Sequence, residues 1–182
     1  MHESCGIFGI YSPSEEVARL TFFALHSLQH RGQESAGIAT ADGKTIKLFT
    51  GMGRVASVFT EESLKNLTGN MAIGHNRYST SGSSRASNAQ PILVSNETGT
   101  IAVAHNGNLV NAEHLYRELL EQGYKFNGTT DSEVIANLVL ASPGKGWVEK
   151  IRHTMRRIKG AYSLAILTPQ ELFIARDSLS VR

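Results

Sequence analysis

The sequence predicts an α+β fold in which helices cover antiparallel sheets. Eight short stretches show apolar alternation or apolar runs, four longer segments carry a helical period, and the two kinds do not alternate regularly along the chain. A doubly wound parallel sheet needs that alternation and fits the order worse. The strand-like stretches are Gly6–Ile10, Ala36–Thr40, Ile46–Phe49, Met71–Gly74, Ile92–Ser95, Thr100–His105, Ala161–Thr168 and Glu171–Arg176. Thr168-Pro169-Gln170 reads as a hairpin turn between the last two. Helical spacing begins in Ser14–Leu28, where Val17, Leu20, Ala24 and Leu28 share a face. It returns in Ala112–Gln122 with Leu115, Leu119 and Leu120, then in Ser132–Leu140 and in Trp147–Ile158. Thr130-Asp131-Ser132-Glu133 has the form of a capping box for the third of these helices. Asn76–Gln90 is polar, contains glycine and is too long for a simple turn, so it is expected to be a binding loop or lid.

Composition narrows the class. The chain has 182 residues, enough for one domain with a sizeable core. Hydrophobic residues make up 41% and charged residues 19%, as in ordinary globular proteins. The net charge of +2 is too small to argue for nucleic acid or an anionic membrane as partner. No apolar run approaches the roughly 18 residues of a membrane span, and a cytoplasmic location is expected. The single cysteine excludes an intrachain disulfide and a Cys-rich metal site, and a lone thiol fits a reducing compartment.

That cysteine, Cys5, opens Cys5-Gly6-Ile7-Phe8-Gly9-Ile10. If residues 1–4 were a short propeptide, their removal would leave thiol and α-amine on one residue. The thiol attacks, and an amine titrating at about 7.7–8.0 takes its proton. The plainer reading is a small buried hydrophobe at the start of a first strand.

Three further clusters stand out: His30-Arg31-Gly32-Gln33-Glu34-Ser35-Ala36-Gly37 after the first helix, Gly74-His75-Asn76-Arg77-Tyr78-Ser79-Thr80 at a strand end, and His105-Asn106-Gly107-Asn108-Leu109, also placed at a strand end. Together with Cys5 and Thr130-Asp131-Ser132-Glu133, and in this order, they resemble the glutaminase domain of the class II, N-terminal nucleophile, glutamine amidotransferases. The resemblance covers essentially the whole chain. Within the family, His30-Arg31-Gly32-Gln33-Glu34-Ser35 and His75-Asn76-Arg77-Tyr78-Ser79-Thr80 look like the purine-synthesis branch. Hexosamine-forming relatives usually carry Tyr-Arg-Gly-Tyr-Asp-Ser and Arg-Trp-Ala-Thr there.

The resemblance implies a four-layer α/β/β/α sandwich and a set of roles. Cys5 would attack the amide carbon of glutamine, with its own amine as base. The side chain of Asn106 and the backbone N–H of Gly107 would stabilise the oxyanion. Arg77 would clamp the α-carboxylate of glutamine, Asp131 would bind its α-ammonium, and Thr80 and the following loop would close over it. Arg31 would support Cys5. Each residue has a plainer reading on its own. Arg31 suits a helix C-terminus, Asn106-Gly107 is a common hairpin-turn pair, Asp131 suits a helix start, and Arg77 is an ordinary loop arginine. His30, His75 and His105 invite a metal reading, but nothing joins them at a convincing ligand spacing.

Near its end the chain reads Ala175-Arg176-Asp177-Ser178-Leu179-Ser180-Val181-Arg182, with Ser178 and Ser180 where the family usually has Pro and Gly. The expectation is a fragment or one chain of a split enzyme, with residues 5–182 as the glutaminase domain and a phosphoribosyltransferase domain elsewhere. That other half would bring phosphoribosyl pyrophosphate, Mg²⁺ and, in relatives with a propeptide, often a 4Fe-4S cluster. No cofactor or metal is expected in this chain. A homotetramer of the whole protein is implied by the family.

Overall fold

The computed structural model describes residues 5–78, 86–128 and 130–178. Met1–Ser4, Thr80 and Ser180 lie outside the described residues. Two four-stranded antiparallel sheets face each other. The first holds β1 (Gly6–Tyr11), β2 (Ser35–Ala41), β3 (Ile46–Met52) and β4 (Met71–Arg77) in the order β1-β4-β2-β3. The second holds β5 (Ile92–Asn96), β6 (Gly99–Leu109), β7 (Gly160–Leu167) and β8 (Leu172–Arg176) in sequence order.

Three apolar layers weld the sandwich. Leu25, Ala36, Ile38, Val55 and Leu64 form the layer between the first sheet and helices α1 (Val17–Ser27), α2 (Val55–Val58) and α3 (Glu61–Asn66). Ala39, Ala41, Ile73, Ala102, Ala104, Ala165 and Leu167 form a thin layer between the sheets. Ile101, Val103, Leu115, Ile135, Leu138 and Leu164 fill the space between the second sheet and helices α4 (Ala112–Glu121), α5 (Asp131–Ala141) and α6 (Trp147–Arg157). This is the expected α/β/β/α order. The alanine-rich central layer lets the sheets approach closely, because small side chains take little depth.

Leu25 is fully buried, and a Cβ on Gly74 would stand 2.9 Å from its Cδ1. Glycine at 74 thus makes room for Leu25 over β4. Leu25→Ala is expected to cost about 3 kcal/mol by leaving a cavity, read as a lower denaturant midpoint.

All eight expected strands and four expected helices form, with four differences. The first helix starts at Val17 rather than Ser14. Helices α2 and α3 are too short to show a period in sequence, and α3 is held by a reciprocal cap between Thr60 and Ser63. Three strands run three residues or more past their apolar cores: β3 to Met52, β4 to Arg77 and β6 to Leu109. Asn106-Gly107 is therefore not a turn, Asn76 and Arg77 belong to β4, and residues 79–85 of the expected loop lie outside the described residues. In β4 and β6 the added His75, Asn76 and Asn106 are polar yet buried, and partners from other elements hold His75 and Asn76, whereas Asn108 is exposed. Finally, only half of the capping box forms. Thr130 Oγ1 accepts from Glu133 N, but the Glu133 carboxylate accepts from Asn127 N and Gly128 N at 2.7 Å each, bracing the turn before α5.

Candidate functional site

Strand alternation aims the two ends of the site at each other. Ile7 packs in the layer between the sheets, whereas Phe8 packs against the first helical layer. Cys5, two residues before Ile7, therefore faces the gap between the sheets. On β6, Ala102 and Ala104 line the same gap, and Asn106 follows them by two on that face. The joint between the sheets is His75, which is fully buried opposite Ile7 on β4. Its Nε2 lies 3.1 Å from the carbonyl oxygen of His105 on β6. A carbonyl only accepts, so Nε2 carries the proton. Burial pushes the pKa of His75 down to about 3, so the ring is neutral at working pH and ties the sheets without bringing charge between them.

Around Cys5, the chain is folded tightly. Arg31, in the single 3-10 turn Gln29–Arg31 after α1, donates from Nε to the Cys5 carbonyl at 3.3 Å. The next residue must be glycine, since a Cβ on Gly32 would meet the Arg77 carbonyl carbon at 2.6 Å. That contact seats the His30–Gly32 segment against the end of β4. Asn76, opposite Gly6, donates to the Leu25 carbonyl at 2.7 Å and binds the same strand end to α1. Arg77 faces Glu34, with Nε 3.7 Å from Oε2, and its Nη1 donates weakly to the Asn88 carbonyl at 3.4 Å. Among the described residues, neither buried carboxylate oxygen of Glu34 has a hydrogen bond, so the charge of Arg77 is their compensation.

The second half of the site is the open edge of β6. Strand β5 pairs with β6 only from Gly99 to Val103. Beyond Val103, no strand among the described residues covers that edge of β6. Side chains take over. His105 N donates to Gln90 Oε1 at 2.7 Å, His105 O accepts from His75, and Leu109 N donates to Asp131 Oδ2 at 3.1 Å. Between them, strand alternation sets the N–H of Gly107 toward the same edge. Glycine is required there by crowding: a Cβ would stand 2.1 Å from the Ala161 carbonyl oxygen.

Asp131, the first residue of α5, sits at that edge with Oδ1 3.4 Å from His105 Nδ1. Burial alone would raise its pKa. The hydrogen bond and charge of His105, with the N–H groups of Leu109 and Ser132, outweigh it and hold the carboxyl below its ordinary value. A depressed carboxyl contributes stability above its unfolded value and loses it as the pH falls. The stability advantage of wild type over Asp131→Asn is therefore expected to shrink as the pH drops from about 5 to about 2, read from urea midpoints.

The structure thus gathers Cys5 with Arg31, and Asn106 and Gly107 with Asp131, at one end of the gap, with Arg77 closing β4 beside them. Glu34, Gln90, His75 and His105 were not assigned roles from sequence. Their only signal is that they stand inside or beside the motifs, and a buried partner is invisible before the fold is known. A cleft of about 630 Å³ between the β5–β6 turn and the α4–α5 loop lies apart from Cys5. Its buried Glu133 is already satisfied by backbone N–H groups. Among the described residues, no three His, Cys, Asp or Glu side chains converge as metal ligands would, and no helix is long and apolar enough to cross a membrane.

Two antiparallel sheets packed face to face between helical layers, with a cysteine opening the first strand at the mouth of the gap, define the class as an N-terminal nucleophile sandwich. Residues 75–182 match the family model described as a glutamine amidotransferase domain, and the chain belongs to that family. It is 49% identical over 99% of its length to amidophosphoribosyltransferase of Synechococcus elongatus. A solved structure described as the allosteric regulatory enzyme of purine biosynthesis superposes on 97% of the chain with TM-score 0.90 and 41% identity. Glutamine phosphoribosylpyrophosphate amidotransferase from B. subtilis, complexed with ADP and GMP, covers 98% with TM-score 0.85 and 39% identity. The chain spans 37% of the length of the Synechococcus relative and 38% of each solved chain.

Proposed function

We propose that this chain hydrolyses the side-chain amide of glutamine, with Cys5 as nucleophile after removal of residues 1–4. The observation that carries this is the strand alternation of β1 and β6, which sets Cys5 and Asn106 toward one gap with Gly107 next to Asn106 at the strand edge. The Cys5 thiol passes its proton to its own α-amine, and its sulfur bonds to the amide carbon. Asn106 Nδ2 and Gly107 N–H donate to the oxyanion. Collapse of the adduct breaks the C–N bond, with the proton going to the departing ammonia. Water then cleaves the thioester to glutamate. Arg31, bonded to the Cys5 carbonyl, fixes the nucleophile and adds positive potential. Arg77, aligned by Glu34, would take the substrate carboxylate, Asp131 its ammonium, and Thr80 would belong to the closing segment.

In the whole protein, the ammonia would go to phosphoribosyl pyrophosphate, giving phosphoribosylamine for purine synthesis. The names of the relatives and their identity over this chain support that reading. Phosphoribosyl pyrophosphate, against fructose 6-phosphate, is the acceptor comparison that separates it from a hexosamine-forming relative. A tetramer and a cytoplasmic location belong to the same proposal, the second supported by a single thiol and a small net charge.

The direct test is peptide mapping after exposure to a diazo-ketone analogue of glutamine. Label on a Cys5 that is also the N-terminal residue is expected; an unlabelled Cys5 still preceded by Met1–Ser4 would leave this chain a glutamine-binding module. Asp131→Ala is expected to raise the KM for glutamine by about tenfold or more, as loss of a charged partner does. An unmoved KM would remove Asp131 from the ammonium site and leave it as a support for Leu109 and His105.

A further inference from the structure

The unpaired edge of β6 poses a mechanical problem. An oxyanion donor must point in a fixed direction before substrate arrives. A neighbouring strand would fix the edge but would also consume the Gly107 N–H. The chain solves this with side chains that bind on either side of Gly107.

Gln90 shows the substitution clearly. Continuing the β5–β6 register past Ile92↔Val103 would set Gln90 opposite His105. Instead its backbone leans onto β2, where a Cβ on Gly37 would meet the Gln90 carbonyl oxygen at 2.2 Å. The side-chain carbonyl of Gln90 then accepts the His105 N–H at 2.7 Å, in place of a ladder bond. The His105 carbonyl is held from the other sheet by His75 Nε2 at 3.1 Å. The His105 ring, whose side chain is 1% exposed, lies with Nδ1 3.4 Å from Asp131 Oδ1 and 3.3 Å from Ser132 Oγ. Its other nitrogen, Nε2, is buried without a hydrogen bond, and a Cβ on Gly107 would stand 2.8 Å from it. The ring therefore packs under Gly107, and α5 backs the ring.

We propose that His105 is a positioning residue: Gln90 and His75 grip its peptide, Asp131 and Ser132 brace its ring, and the ring supports Gly107 so that the N–H of that residue stays aimed at the reacting carbonyl. This rests on the glutamine amidohydrolase reading given above. The arrangement also explains why three sequence-distant polar side chains are buried around one histidine.

The test uses the processed, full-length protein. His105→Leu removes the braced nitrogen, His105→Asn keeps a donor near the place of Nδ1, and Gln90→Met removes the backbone grip without touching the ring. Misplaced donors cost rate rather than ground-state affinity. His105→Leu and Gln90→Met are therefore expected to lower the kcat for glutamine hydrolysis by about tenfold to a hundredfold, with KM within about twofold. His105→Asn is expected to recover most of kcat. Hydrogen exchange of the Leu109 amide, which is bonded to Asp131 Oδ2 two residues past Gly107, should accelerate in the Leu and Met variants and return toward wild type in the Asn variant. Unchanged kcat in Gln90→Met, a rise in KM alone, or unaltered exchange of the Leu109 amide in both the Leu and Met variants would overturn the proposal. If wild type itself released no ammonia, the amidohydrolase reading would fail. The exchange measurement would still judge the bracing of Gly107 separately.

Discussion

Cys5→Ser is expected to abolish ammonia release while leaving the fold intact. The side chain changes by one atom, from sulfur to oxygen, and Cys5 is half-buried ahead of β1, so little volume is lost. A serine hydroxyl is far harder to ionise than a thiol, and its neighbouring amine is a weak base for it. The loss in kcat should be about 10⁴-fold or more, the scale seen when a covalent nucleophile is removed. The thermal midpoint should shift by no more than a degree or two, because surface-proximal isosteric changes cost little. The diazo-ketone label should disappear with activity. Turnover within tenfold of wild type would show that the attacking group lies elsewhere. The inter-sheet gap would then need a different explanation for its Arg31 and Asn106.

The dependence on processing follows from the same chemistry. With residues 1–4 attached, the Cys5 nitrogen is an amide and cannot accept a proton near neutral pH. A version blocked against removal of those residues should fold normally and resemble Cys5→Ser in turnover. Glutamine binding by such a version would be retained, since Arg77 and Asp131 belong to other elements.

Much of the architecture was legible in sequence because it rests on period and punctuation. The apolar runs mark every strand, and the 3.6 period marks the four long helices. What escaped was polar and buried. Asn76 and Arg77 read as the start of a loop, yet with His75 they finish β4, because Leu25, Glu34 and His105 supply partners from other elements. Asn106-Gly107 reads as a turn by local chemistry. It lies in mid-strand because β7 pairs along its whole length, Asn106 with Ser163 and Gly107 with Tyr162. Tertiary pairing overrides the local preference. Glu133 shows the opposite limit: a correct local motif whose second half is diverted to a better-placed pair of backbone donors. The site residues themselves were legible only as an ordered set of motifs. None of them, taken singly, outweighed its plainer reading, and the geometry that links Gln90, His75, Asp131 and His105 exists only once the two sheets are stacked.

Gly107→Ala concentrates these points in one methyl group. The added Cβ would stand 2.1 Å from the Ala161 carbonyl oxygen and 2.8 Å from both the Tyr162 Cα and His105 Nε2. Two of those neighbours are backbone of β7 and cannot rotate away. Strand β6 must therefore lift from β7 at the point where its N–H is needed. Overpacking against fixed backbone is expected to cost about 2–3 kcal/mol, read as a lower denaturant midpoint. The catalytic loss should be larger than stability explains. Misdirecting one oxyanion donor costs about 10²–10³-fold in kcat, even at temperatures where the variant is fully folded. Substitution at Asn108 offers the control. It neighbours Gly107, but its N–H and C=O turn toward β7 and its side chain is exposed. Asn108→Ala should leave both quantities within a small factor of wild type. If Gly107→Ala were destabilised yet hydrolysed glutamine at the wild-type rate, the N–H of Gly107 would not be the oxyanion donor. The crowding at Gly107 would then serve only to close the β6–β7 ladder.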